Sequence, residues 1–146
     1  MASVFDVAQY ILQKQGRITA MTLQKLVYYS QAWSLVWDEE PLFEEKIEAW
    51  SNGPVVRKLF NSHRGCFLVS KIPKGDPSKL TTTQKETIDA VLDFYGHRTA
   101  QWLCDLTHME DPWRQAREGV PEGRQCDNEI THSMMHEYYA SIPEGT

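Results

Sequence analysis

The chain has 146 residues, 41% of them apolar and 24% charged, with a net charge of -5 and an isoelectric point near 5.5. These values fit one soluble domain spanning residues 1–146, and they argue against a disordered body or a domain that binds by neutralising phosphates. Cys66, Cys104 and Cys126 form no disulfide framework, and neither a signal-peptide pattern nor an apolar run of membrane-spanning length occurs, so a reducing cytoplasm is expected.

In chain order, Val4 to Lys14 carries Val4, Phe5, Val7, Ala8, Ile11 and Leu12 at helical spacing, with Gly16 as a stop. Met21 to Trp37 repeats the stripe at Leu23, Leu26, Val27, Ser30, Trp33 and Trp37, leaving Gln24, Lys25, Tyr28 and Gln31 largely off it. This is predicted to be the longest and most buried helix. Residues 42–50 lack a clear period and suggest one short hairpin. Asn52-Gly53-Pro54 is a turn, with Pro54 expected to open a helix because its missing N–H is no loss there. Phe67 to Ile72 reads as extended and residues 73–80 as a loop. Thr81-x-x-Gln84 and Thr83-x-x-Glu86 are alternative capping boxes for a helix that ends at Gly96. Thr99 to Thr107 is predicted helical, with Trp102, Leu103 and Leu106 inward. Asp111 is expected to cap a short polar helix, with Pro112 as its first residue. Residues 121–128 read as a loop, and Thr131 to Ile142 as the last helix. The sum is an all-α or nearly all-α domain of about seven helices.

No known catalytic motif stands out. The pairs Cys104/His108 and His132/His136 have the spacing of two ligands on one helix face, but neither has a nearby second pair, and Cys104 falls in an apolar stretch. A buried thiol and ordinary histidines are the simpler reading. Phosphate-binding glycine loops are absent, so neither a cofactor nor a metal is expected. Asp111 is read as a cap rather than an acid catalyst. The run Asp38-Glu39-Glu40 with Glu44-Glu45 is a solvated face, or a lure for a basic partner. Five tryptophans and six tyrosines are many for a helical domain of this size. Trp33, Trp37 and Trp102 fit core positions, whereas Trp50 and Trp113 fall at element boundaries, where interface anchors are found.

Three blocks carry a resemblance. Leu23, Lys25, Leu26 and Tyr28 form a Leu-x-Lys-Leu-x-Tyr pattern. Pro41 to Phe43 is followed by Glu48 to Trp50 and by Gly53, Pro54 and Val55. Thr107 and His108 precede Pro112 and Trp113. In order and spacing they resemble the Panacea domain, or SocA-like antitoxin family, over a span from Val4 to about Ile142. The resemblance implies a mostly helical antitoxin that neutralises a cognate toxin protein by direct binding, without enzymatic activity. The toxin is expected from an adjacent gene of a bacterium or phage, and neither nucleic acid nor membrane is an expected partner of this domain. It also implies an adaptor role, delivering the toxin to a protease, as an alternative. Reversal of a toxin's modification and binding of a host defence component by a phage protein are further alternatives. Lys25, Tyr28, Trp50 and Trp113 are the candidate partner contacts. Leu23, Leu26, Glu48, Gly53, Pro54, Val55, Thr107, His108 and Pro112 are expected to serve the fold.

Overall fold

The second helix is covered on every side, polar residues included, and the other elements are arranged as its coat. The computed structural model describes residues 2–142. Helix α1 (Val4–Gln15) is followed by strand β1 (Ile18–Thr19) and by helix α2 (Ala20–Trp37), whose N-cap is the Thr19 hydroxyl. Strands β2 (Ile47–Trp50) and β3 (Gly53–Val56) form an antiparallel hairpin, with Trp50 opposite Gly53 and Ile47 opposite Val56. Helix α3 (Arg57–His63) leads to strand β4 (Leu68–Val69), which pairs with β1. A 3₁₀ turn at Pro77–Lys79 precedes α4 (Thr82–Tyr95), α5 (Ala100–Met109) and α6 (Asp111–Ala116). Strand β5 (Glu129–Ile130) adds to β2, giving the order β3-β2-β5, and α7 (His132–Ala140) closes the described chain.

The seven helices and mostly helical architecture agree with the sequence reading. The capping box is the Thr81–Gln84 alternative. Four expectations are corrected. The hairpin runs from Ile47 to Val56 rather than over 42–50, and Pro54 lies in β3 instead of opening a helix. An edge strand tolerates proline, because the N–H that proline lacks would point away from the ladder. The cap of α6 is Glu110, with Asp111 inside the helix. Trp37 and Trp102 are partly exposed, at 38% and 37%, where Trp33 is buried. Trp37 instead stacks on Trp33, and Trp102 lies under the Arg98 guanidinium.

One apolar core runs through the described residues. Leu23, Leu26, Val27 and Ala32 of α2 pack there with Val7 and Ile11 of α1, Ile88 and Val91 of α4, and Met135 and Tyr139 of α7. Around α2 the buried polar side chains are spent on backbone. Gln31 Oε1 accepts from Leu42 N at 2.7 Å, and its Nε2 donates to Phe43 O at 2.8 Å, pinning an irregular segment that has no ladder. Gln24 treats Val56 the same way, with Oε1 accepting from its N–H at 2.9 Å and Nε2 donating to its carbonyl at 3.4 Å. A glutamine carboxamide carries the donor and acceptor of a backbone amide, so it completes the outer edge of β3 as a neighbouring strand would.

Candidate functional site

The three sequence blocks converge on the β2–β3 hairpin. From α2, the Lys25 ammonium donates to Pro54 O at 3.2 Å, its stem passing across Gly53. From α5, the Cys104 thiol donates to Asn52 O at 2.9 Å, and Thr107 Oγ1 donates to Cys104 O at 2.8 Å. From α6, Trp113 Nε1 donates to Trp50 O at 2.8 Å, while His108 stacks on the Trp113 ring at 4.0 Å and 12°. The Arg117 guanidinium lies over the same ring, 5.0 Å from the centroid, and it donates to Ala49 O at 2.9 Å. The hairpin is thus held by α2, α5 and α6 through side-chain donors that end on its backbone carbonyls.

Electrostatics follow from burial. Lys25 is 1% exposed and has no carboxylate partner among the described residues, and desolvation lowers its pKa from 10.5 to about 8. Burial pushes the Cys104 thiol up, against the pull of Lys25. His108 and His63 are both lowered, chiefly by burial. On the hairpin's outer side, burial raises Glu48, but hydrogen bonds from Arg57 and Trp50 outweigh it and leave its pKa below the ordinary value. Glu48 accepts from Trp50 Nε1 at 2.8 Å and from Arg57 Nη2 at 2.8 Å. Arg57 also lies over the Trp50 ring, at 5.2 Å, and Phe60 meets that ring edge-on at 4.9 Å.

Beside this surface is a pocket of about 240 Å³, whose lining includes Met21, Trp50, Val55 and Phe60 together with the buried polar groups Gln24, Lys25 and His63. Of the four expected contact residues, Lys25, Tyr28 and Trp113 are 1%, 1% and 6% exposed, and offer a partner no surface in this conformation. The sequence placed Lys25 and Tyr28 off the apolar stripe, but α2 is buried all round. The Lys25 charge adds to the lowering of His108, and Tyr28 meets Tyr139 with hydroxyls 3.0 Å apart. Trp50 is half-buried and remains accessible. Leu23, Leu26, Pro54, Val55, Thr107 and Pro112 are buried in the packing around the hairpin and α2.

Sequence reasoning did not place Gln24, Phe60 or Arg117 at this site. Arg117 is 4% exposed and, besides Ala49, donates to Pro121 O and Arg124 O. Nothing in a polar stretch marks one cation as buried, because all three of its acceptors are backbone. No group of three or more His, Cys, Asp or Glu with metal-binding geometry occurs among the described residues. No described helix is long and apolar enough to cross a membrane.

Residues 23–114 match the model of the family described as "Antitoxin SocA-like, Panacea domain". The chain belongs to this family. The match covers well over half the sequence and takes in all three blocks, though it is shorter than the span from Val4 to Ile142. No curated protein and no solved structure matches the chain. In this Panacea domain Lys25, Thr107 and Trp113 of the signature blocks lie around the hairpin, Leu23 and Leu26 lie in the core, and Tyr28 meets Tyr139.

Proposed function

We propose that this Panacea domain is an antitoxin that neutralises a cognate toxin by direct protein–protein binding, without chemistry of its own. The family match carries the reading. The hairpin's chemistry supports it. A nucleophilic cysteine needs a lowered pKa and access, whereas Cys104 is buried, raised, and donating to a carbonyl. His108, its neighbour at 3.7 Å, is held in a stack with Trp113. Trp50, Phe60 and Arg57 together offer an aromatic and cationic anchor set of the kind that dominates binding energy at interfaces.

The test is co-expression with the product of the neighbouring gene, read by growth and by co-purification. Rescue of growth with a stable complex is the expected result. Rescue with loss of the toxin only when a protease is present would assign the adaptor role instead. Rescue without a complex and without loss of the toxin would point to an enzyme. Trp50→Ala should yield a folded protein that neutralises at least about tenfold less well, as the loss of an anchor predicts. Full activity in that variant would remove Trp50 from the contact surface.

A further inference from the structure

We propose that the face built by α3, β4 and the 70–74 connection is the docking surface for an acidic segment of the partner protein. Between residues 57 and 75 the sequence holds Arg57, Lys58, Arg64, Lys71 and Lys74 and neither Asp nor Glu, so the remaining ten Lys and Arg share the chain with all twenty carboxylates. An acidic protein therefore concentrates a third of its cations in one short segment. The fold keeps them together. Ile18 pairs with Val69, which sets the preceding Arg17 beside the residues that follow β4. Lys58 and Lys74 flank a groove of about 550 Å³ that also takes in Phe5, Ile72, Asn61 and Ser62.

Arg57 is spent on Glu48, but Arg17, Lys58, Arg64, Lys71 and Lys74 are exposed and make no ion pair among the described residues. The carboxylates of Asp6 and Asp76 are engaged in local hydrogen bonds. Asp6 is buried and accepts from Ser3 N and Asp76 N, and Asp76 accepts from Ser78 N. Beside the cations, Phe67 is 78% and Leu68 45% exposed, two large apolar side chains left in water. Unpaired charge of one sign next to exposed apolar groups suits a chain that alternates carboxylates with apolar side chains. The strongly negative remainder of the molecule disfavours a polyanion as long as a nucleic acid.

The identity of the partner as a toxin rests on the neutralisation reading; the surface can be tested without it. The probes are a short fluorescein-labelled peptide of Asp and Glu interrupted by Phe and Leu, its Lys-for-carboxylate counterpart, and an oligothymidylate. Binding is read by anisotropy at low and high salt. The acidic peptide should bind the wild type, and the Lys58→Glu/Lys74→Glu variant about tenfold or more weakly, while Arg114→Glu on α6 binds as the wild type does. Each altered side chain is exposed and unpaired, so melting temperatures should stay unchanged.

No binding of the acidic peptide, equal binding by the double variant, or tighter binding of the oligothymidylate overturns the proposal. If the toxin complex forms equally well with the wild type and the double variant, this face falls and neutralisation stands. If the acidic peptide binds but no toxin complex forms, neutralisation falls and the face stands.

Discussion

Gly53 illustrates how a single position is dictated. Its φ is +121°, a region where side chains are strained, and a Cβ there would overlap the Lys25 side chain and come within 3.1 Å of Thr107 Oγ1. Neither neighbour can retreat, because Lys25 holds Pro54 O and Thr107 holds Cys104 O. Gly53→Ala is therefore expected to cost about 2–4 kcal/mol, from backbone strain and overpacking together, measured by chemical denaturation. A loss below about 1 kcal/mol would show that the Lys25 stem yields and that the grip on the hairpin is loose. The glycine was legible as a turn residue, but its reason was not. The turn signal is local, whereas the clash comes from side chains 28 residues before and 54 residues after it. Pro54 was misread for the same cause: its fit to a helix start is a local rule, and the sheet edge that accommodates it is made by distant residues.

At the scale of elements, α2 explains both what the sequence showed and what it hid. Its length followed from periodicity, whereas its Thr19 cap was not read, and capping chemistry offered the Thr81 box of α4 only as one of two alternatives. Its lack of a solvent face did not follow, because Gln24, Lys25, Tyr28 and Gln31 look like surface residues until their acceptors are known. Among the described buried side-chain nitrogen and oxygen atoms, only Ser30 Oγ lacks a partner. The helix is thus a rod that replaces missing strand neighbours on two sides. Replacing Gln31 with Leu keeps the bulk but strands the N–H of Leu42 and the carbonyl of Phe43 in the interior. The expected loss is about 2–4 kcal/mol in equilibrium unfolding. Gln31→Glu retains the acceptor but not the donor, and it places a charge there, so it should not rescue stability. A Leu variant as stable as the wild type would mean that water replaces the amide.

At the scale of the whole molecule, Glu110 ties three helices together. Its Oε1 accepts from Tyr29 of α2 and from Tyr139 of α7, each at 2.7 Å, at the junction between α5 and α6. Burial raises its pKa from 4.5 to about 6, and the two tyrosine hydrogen bonds only partly oppose this. A raised carboxyl contributes stability that is fully present below about 4.5 and lost as pH rises through about 6. The difference in unfolding free energy between wild type and Glu110→Gln should accordingly shift by about 2 kcal/mol over that window, with the wild type relatively weaker on the neutral side. A difference that stays constant with pH would place the carboxyl in a wetter setting than its contacts indicate. Sequence reading gave the capping role to Asp111 rather than to Glu110, since two adjacent acids before a helix are equivalent until the tyrosines are in place. Of the candidate site, the three blocks were readable through their family resemblance. Their convergence on one hairpin was not, because it is made by pairs such as Trp50 and Trp113, 63 residues apart. The basic face was obscured by the overall negative charge, which averages a cationic segment into an acidic chain.

The burial of α2 has a consequence for the order of events on the ribosome. The tyrosines of α2 emerge about a hundred residues before Tyr139, the side chain that covers them. At typical elongation rates of 5–20 residues per second, this leaves roughly 5–20 seconds in which the nascent chain holds an uncovered aromatic cluster and no completed core. A chain interrupted before residue 132 would lack α7 altogether, and so should be recognised by proteases as unfolded rather than persist as a partial protein. The fold thus makes the supply of finished molecules all-or-none.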